Sequence, residues 1–253
     1  VLLHCDAVQA HAETYTGLVE AGVGVIPGWG GCTRMLEKAF NAQAAGKLSG
    51  GPIPPSQKVF EAFMNPLAAI SSSAQDAKTK MWFSPNDGVT MNRERLLGDA
   101  KAKALDMAEG YEAPKPATYK LAGKTAATAF RMGVDGFYAM GFATYHDAVV
   151  GDALGDILSG GDTHVGKELT ENDIKQLERE AFISLLHTPE TQARIAKMAR
   201  SNGFIREKKP EGNPPLSEIR AKRPNISLEY RKISGVPLEG EEAQKLKDAA
   251  NDA

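Results

Sequence analysis

Cysteine is scarce in this chain: Cys5 and Cys32 are the two among 253 residues. Two thiols in so long a chain make no disulfide framework, which excludes a small stapled scaffold and favours a reducing, cytoplasmic setting. Charge of one sign is lacking as well, since thirty Lys and Arg against thirty-two Asp and Glu leave a net charge of −2. That balance argues against a nucleic-acid or membrane-surface protein as a whole. No apolar run approaches the roughly 20 residues that span a bilayer. The first residues, "VLLHCDAVQ", have neither an initiator Met nor the basic start of a signal peptide. They begin in mid-pattern, without a turn or cap, so a chain cut at its front is expected. What is present is 42% hydrophobic and 25% charged residues, the composition of a globular protein with ample material for a core.

Chemistry-bearing residues are thinly spread. The five histidines are His4, His11, His146, His164 and His187, and none forms an HExxH pair. Neither cysteine has a second cysteine at ligand spacing, so no metal site is expected. His146 and Asp147 are adjacent, and neighbours on a helix point apart. Cys32 follows a glycine-rich turn but has no partner histidine, so it reads as a buried structural thiol rather than a nucleophile.

Helical signals dominate the organisation. A short strand is expected near residues 7–10, a helix over 33–40, and a Gly/Pro-rich loop over 44–55. Ser56 is expected to cap the next helix, Ser73 a short one, and Asn92 a long amphipathic one with Leu96, Leu97, Ala100, Ala104 and Met107 on one side. Residues 125–158 are low in charge and rich in small and aromatic residues, which predicts helices packed between helices or subunits. Thr170 with Asp173 predicts a capped helix, and Gly203 a stop for the helix after it. Beyond Lys208 the chain is proline-broken and charged, read as an arm or tail with a terminal helix over 239–249. The sum is one or two front strands and at least six helices.

Glu20 is the awkward residue. It sits between Leu18-Val19 and an uncharged run from Ala21 to Ile26. Burying a carboxylate without a partner costs several kcal/mol or forces it to take up a proton, roughly as model transfers indicate. On the residues alone Glu20 is either an edge carboxylate in water or a carboxyl placed in an apolar pocket, and "GWGG" is a tight strand-to-helix turn.

The stretch "HCDAVQAHAETYTGLVEAGVGVIPGWGGCTRM" resembles the crotonase (enoyl-CoA hydratase/isomerase) family. The likeness is carried by Cys5-Asp6, Glu20, Gly24, Ile26-Pro27-Gly28, Gly30-Gly31 and Arg34, with Asp76 and Ala77 matching a later helix. The chain resembles most the hydratase part of bifunctional β-oxidation proteins that also carry an NAD-dependent 3-hydroxyacyl-CoA dehydrogenase, over about residues 1–204. The resemblance implies an α/β ββα-spiral fold of which this chain is the C-terminal, mostly helical part. It implies residues 1–45 as core with the glutamate turn, 46–111 as loop and helices, 112–204 as a helical extension and 205–253 as a tail. It implies syn hydration of a trans-2-enoyl-CoA, with Glu20 exchanging a proton at the α-carbon and the Gly28 backbone placing the water. Val25, Ile26, Pro27 and Trp29 would line the substrate pocket. The paired glutamate and both oxyanion donors would lie before Val1, so the chain alone is expected to be inactive; one lost donor typically costs about 10²–10³ in rate. No cofactor is expected in the chain, NAD belonging to an upstream dehydrogenase domain. The expected partners are an acyl-CoA substrate and that domain or a second subunit in an oligomer. An isomerase or hydrolase of the same superfamily, or a non-catalytic interaction module, are the alternatives.

Overall fold

A computed structural model describes residues 1–65, 70–201 and 216–217. Helices α1 Gly31–Ala44, α2 Ile53–Met64, α3 Ala74–Thr79, α4 Leu96–Ala108, α5 Lys124–Ala139, α6 Tyr145–Ser159, α7 Glu171–Leu186 and α8 Pro189–Ser201 hold more than half of these residues. Several start as the sequence predicts. The Ser73 hydroxyl accepts the Asp76 N–H at the head of α3, and the Asn92 side chain accepts the Glu94 N–H in a 3₁₀ turn leading into α4. Thr170 with Asp173 forms a full capping box on α7, and Thr144 with Asp147 forms another on α6. Each cap contributes about 1 kcal/mol by satisfying otherwise orphaned N–H groups.

Helix α2 departs from expectation. It begins at Ile53, so Pro54 and Pro55 fall in its first turn, where a missing N–H costs nothing. Ser56 is therefore inside the helix rather than its cap. Its buried hydroxyl donates to the Leu158 carbonyl at 2.7 Å, tying α2 to α6.

Strands are few and short. β1 (Gln9–His11) runs parallel to β2 (Gly88–Thr90), and β3 (Thr118–Lys120) runs antiparallel to β4 (Glu168–Thr170). β1 lies where the front strand is expected. The second sheet was illegible, because three residues are too few to show alternation. No repeated ββα turn occurs among the described residues.

The core is built where the helices cross. Met35, Leu36 and Ala39 of α1 meet Val59, Phe60 and Phe63 of α2, Leu154, Ile157 and Leu158 of α6, and Ile174 and Leu185 of α7. The low-charge region folds as α5 packed on α6. A Cβ on Gly155 would lie 2.9 Å from Phe130, and one on Gly151 would lie 2.9 Å from Val134. Glycine there lets the helices approach, while the Phe60 and Phe130 rings stack at 4.9 Å behind them. The apolar side expected of α4 is not core: that helix has no buried residue, and Leu97 and Leu105 are exposed. It lies against β1 and its own 3₁₀ lead-in, and Asp99 accepts the Thr90 hydroxyl of β2 at 2.8 Å while Lys103 donates to the Asn86 carbonyl at 2.9 Å. Gly203 as a helix stop, the tail over 205–253 and the helix expected over 239–249 lie outside the described residues, apart from Leu216 and Ser217.

Candidate functional site

Glu20 opens a 3₁₀ turn, Glu20–Val23, closed by Gly24 in the left-handed region at φ 90°. The Glu20 carbonyl accepts the Val25 N–H at 3.2 Å, which folds the chain back on itself. The Glu20 carboxyl is partly buried, and its Oε2 is shielded from solvent with no hydrogen-bond partner. Burial raises its pKa above the ordinary glutamate value, opposed by its own and Val19's backbone N–H groups. The apolar neighbourhood visible in the sequence therefore acts on the carboxyl in the direction that keeps it protonatable.

The next segment leads into α1. Val25, Ile26 and Pro27 are buried, so of the four residues expected to line a pocket Trp29 alone reaches solvent, and it is 92% exposed. Trp29 (φ 59°) and Gly30 (φ 82°) are both left-handed, a conformation that costs a non-glycine residue roughly 1–2 kcal/mol. Gly28 is tight rather than strained. A Cβ there would lie 3.0 Å from the Phe182 ring, and its N–H is already donated to the Ile26 carbonyl at 2.8 Å. The N–H expected to place a water is thus one that the Ile26 carbonyl accepts.

The head of α1 carries the densest polar cluster. Glu178 of α7 is buried, and its carboxylate accepts the Gly30 N–H at 2.8 Å, the Thr33 N–H at 2.5 Å and the Thr33 hydroxyl at 2.6 Å. Burial raises its pKa, and the Thr33 and Gly30 donors pull the other way. A helix N-terminus favours an anion, and here the anion is the chain's own. Arg34 pairs with Glu37 at 2.5 Å and with Glu171, which also pairs with Lys175 at 2.5 Å. His4 lies against Gly30, and its pKa is lowered by burial and by the nearby Arg34, chain-terminal and Lys175 charges. The buried Cys32 thiol is pushed well up by burial and by Glu178 and Glu20, which fits a structural thiol. Asp76 of α3 accepts from Ser72 and pairs with Lys80 at 3.0 Å, a surface cap away from this cluster.

Glu178 escaped the sequence reading. Its signal was a carboxylate on the apolar stripe of α7, at the spacing Ile174, Glu178, Ala181, Leu185. Among the described residues no group of three His, Cys, Asp or Glu is placed to hold a metal ion, and no helix is long and apolar enough to cross a membrane. A shallow surface cavity between Phe40, Pro52, Leu121 and Val165 shares no residue with the Glu20 turn.

Comparison with known proteins corrects the expected chemistry. The chain is 33% identical over 192 residues to a Bacillus subtilis protein named "Probable 3-hydroxyacyl-CoA dehydrogenase". The match covers 76% of this chain but 23% of that protein, so the chain spans about a quarter of this relative's length. It is also 51% identical over 36 residues to an uncharacterized protein of Rickettsia conorii, covering 14% of this chain and 68% of that protein. Over those residues the chain belongs to that protein's family, whose name assigns no activity. No family model and no solved structure matches. The expected crotonase-family hydratase is thereby overturned, because the long match is to a dehydrogenase, an oxidoreductase rather than a lyase.

Proposed function

We propose that this chain is part of a 3-hydroxyacyl-CoA dehydrogenase-type protein of fatty-acid metabolism, and that its Glu20 carboxyl exchanges a proton with a coenzyme A ester. The observation that carries the placement is the 192-residue likeness to the Bacillus subtilis protein. The observation that carries the role is the shielded Oε2 of Glu20, which has no hydrogen-bond partner. Burial moves that carboxyl toward the range in which an acid both gives and takes a proton near neutral pH. The exposure of Trp29, held out from the fold in a left-handed turn, supports a role for it in contacting the substrate.

Oxidation of a 3-hydroxyacyl ester needs a hydride acceptor, and NAD is the one such enzymes use. The described residues do not fit it. Strands of three residues build no dinucleotide-binding sheet, the sequence has no GxGxxG, and the one glycine-rich helix head already holds the Glu178 carboxylate. NAD is therefore assigned to residues other than the described ones, in a dehydrogenase domain of the same protein or assembly, and no step at Glu20 is routed through it. The exposed apolar residues of α5 and the following turn, with Phe137 43% and Phe142 67% exposed, favour docking against that domain or a second copy. The scarcity of cysteine favours the cytoplasm.

The test uses the protein that carries this chain in full. NADH formation from a 3-hydroxyacyl-CoA is expected, and so is exchange of solvent deuterium into the acyl-CoA, the turnover of that exchange falling about 10²-fold or more in Glu20→Gln. Absence of NADH formation across short and long acyl chains would overturn the placement. Wild-type turnover in Glu20→Gln would overturn the role of the carboxyl.

A further inference from the structure

Two helices from the far end of the sequence reach the Glu20 turn through buried polar side chains. The Thr191 hydroxyl of α8 donates to the Gly24 carbonyl at 2.6 Å. A carbonyl only accepts, so the single hydroxyl proton is committed to that bond. His146 Nε2 of α6 lies 2.8 Å from the same hydroxyl oxygen, and must therefore be the donor, which places a proton on Nε2. Arg194 of α8 donates to Asp147 at 2.8 Å and to the Thr144 hydroxyl at 3.1 Å, and reaches the Gly22 carbonyl at 3.5 Å. Thr191, His146 and Arg194 are all buried.

This arrangement is costly for mere filling. A valine has the shape of threonine, and apolar residues would fill the same volume without burying a hydroxyl, an imidazole and a guanidinium. What the polar groups add is direction. They grip the carbonyls of Gly22 and Gly24, and Gly24 in turn donates its N–H back to the carbonyls of Ala21 and Glu20. The grip is also close. A Cβ on Gly24 would lie 2.7 Å from the Thr191 hydroxyl and 2.9 Å from His146 Nε2, so both the space and the φ of 90° demand glycine. A single 3₁₀ turn is a weak element by itself, and these tethers fix where its first residue stands.

We propose that Thr191, backed by His146 and Arg194, is a positioning residue that holds the Glu20 carboxyl in its shielded seat. The proposal rests on the reading of Glu20 as a proton-exchanging group. It goes beyond that reading by naming the residues that make the seat, with Thr191 and Arg194 167 and 172 positions from the carbonyls they hold.

The test reads Glu20 directly. Carboxyl-carbon NMR of the full chain, labelled at glutamate and assigned by the signal lost in Glu20→Gln, gives the titration of that one group. In Thr191→Val the apparent pKa of Glu20 is expected to fall toward the ordinary glutamate range as the turn loosens and water enters. Thr191→Ser, which keeps the donor, is expected to titrate as wild type. In the protein that carries the chain in full, kcat in Thr191→Val is expected to fall about tenfold or more with little change in KM, as misplacement of a reacting group does. A folded Thr191→Val with an unchanged Glu20 titration overturns the proposal. Should Thr191→Val not fold, Arg194→Met, which leaves Thr191 in place and frees the Gly22 carbonyl, is read by the same titration and the same rule. A shifted titration with unchanged turnover would leave the positioning intact and refute instead the catalytic reading of Glu20.

Discussion

Glu178 and Gly30 are 148 residues apart in sequence, and a 2.8 Å hydrogen bond from the Gly30 N–H to the Glu178 carboxylate joins them. The same carboxylate takes the N–H and hydroxyl of Thr33, so α7 supplies α1 with the cap that its own sequence lacks. The glycine at that position offers no side chain, and α1 shows no side-chain cap of its own. The bond also pins the left-handed Trp29-Gly30 pair, whose geometry carries Trp29 out into solvent.

Removing the Glu178 carboxylate should therefore be expensive. Glu178→Ala leaves two buried backbone donors unmet, at about 1–3 kcal/mol each. Glu178→Gln keeps one acceptor and is expected to cost less, about 1–3 kcal/mol in all. Urea unfolding of the two variants checks the order. A Glu178→Ala chain as stable as wild type would mean that water replaces the carboxylate without loss.

Glu20 sets a pH dependence whose sign follows from its raised pKa. The folded chain holds this proton more tightly than the unfolded chain does. The contribution of Glu20 to stability is thus full below the ordinary glutamate range and declines as pH rises from that range to the raised value. Glu178 shifts in the same direction, so wild type alone cannot separate them. The discriminating measurement is the Tm gap between Glu20→Gln and wild type. It is expected to favour the variant at neutral pH and to close in acid, and a gap independent of pH would refute the assignment.

Trp29 offers an unusual contrast between size and cost. Truncating a buried tryptophan costs about 3–5 kcal/mol, but this one is 92% exposed at φ 59°. Glycine at this position relieves left-handed strain of roughly 1–2 kcal/mol and adds an unfolded-state entropy penalty of about 0.5–1 kcal/mol. Trp29→Gly is expected to leave stability within about 1 kcal/mol of wild type, while weakening acyl-CoA affinity. A large loss of stability on thermal unfolding would show that the indole packs, and an unchanged affinity would remove it from the substrate site.

The parts of this structure that the sequence displayed are those whose causes are local. Thr170 and Asp173 stand three apart and form a capping box, and the apolar run after Glu20 raises its pKa by burial, as its composition implies. The caps at Ser73 and Asn92 are local in the same sense. Partners from distant helices were not displayed. Thr191 and His146 look like ordinary helix residues until α8 and α6 are placed on the Gly24 carbonyl, and nothing near Gly30 announces Glu178. Ser56 was misread because a serine before an apolar run signals a cap, whereas two prolines in the first turn had already started the helix. The chemistry was misread for a different reason. A glutamate, a glycine turn and an arginine in register describe a backbone shape, and one shape serves more than one reaction.

The outer side of α5 carries the last prediction. Ala129, Met132, Gly133, Phe137 and Met140 are exposed along it, and Met132 and Met140 are 69% and 61% exposed. A Cβ on Gly133 or Gly136 would meet nothing within 4 Å, so the helix presents bulky apolar side chains beside open, flat backbone. Phe130 and Tyr138 face inward and are buried, and Tyr145 donates its hydroxyl to Glu190 at 2.5 Å, so three of the five aromatic residues over 125–158 are used within the chain. The remainder forms an apolar surface of a kind that isolated monomers rarely leave open. Replacing Phe137 and Met140 with Asp should cost little in the isolated chain, about 0.5 kcal/mol or less, because exposed positions tolerate change. Light scattering of the wild-type chain is expected to show a mass that rises with concentration, and the double variant is expected to return it to that of one chain. If docking is instead to another domain of the longer protein, the chain stays monomeric, and the variant lowers the Tm of the longer protein without changing that of the chain. Monomers throughout, with the longer protein unaffected, would show that this face touches nothing.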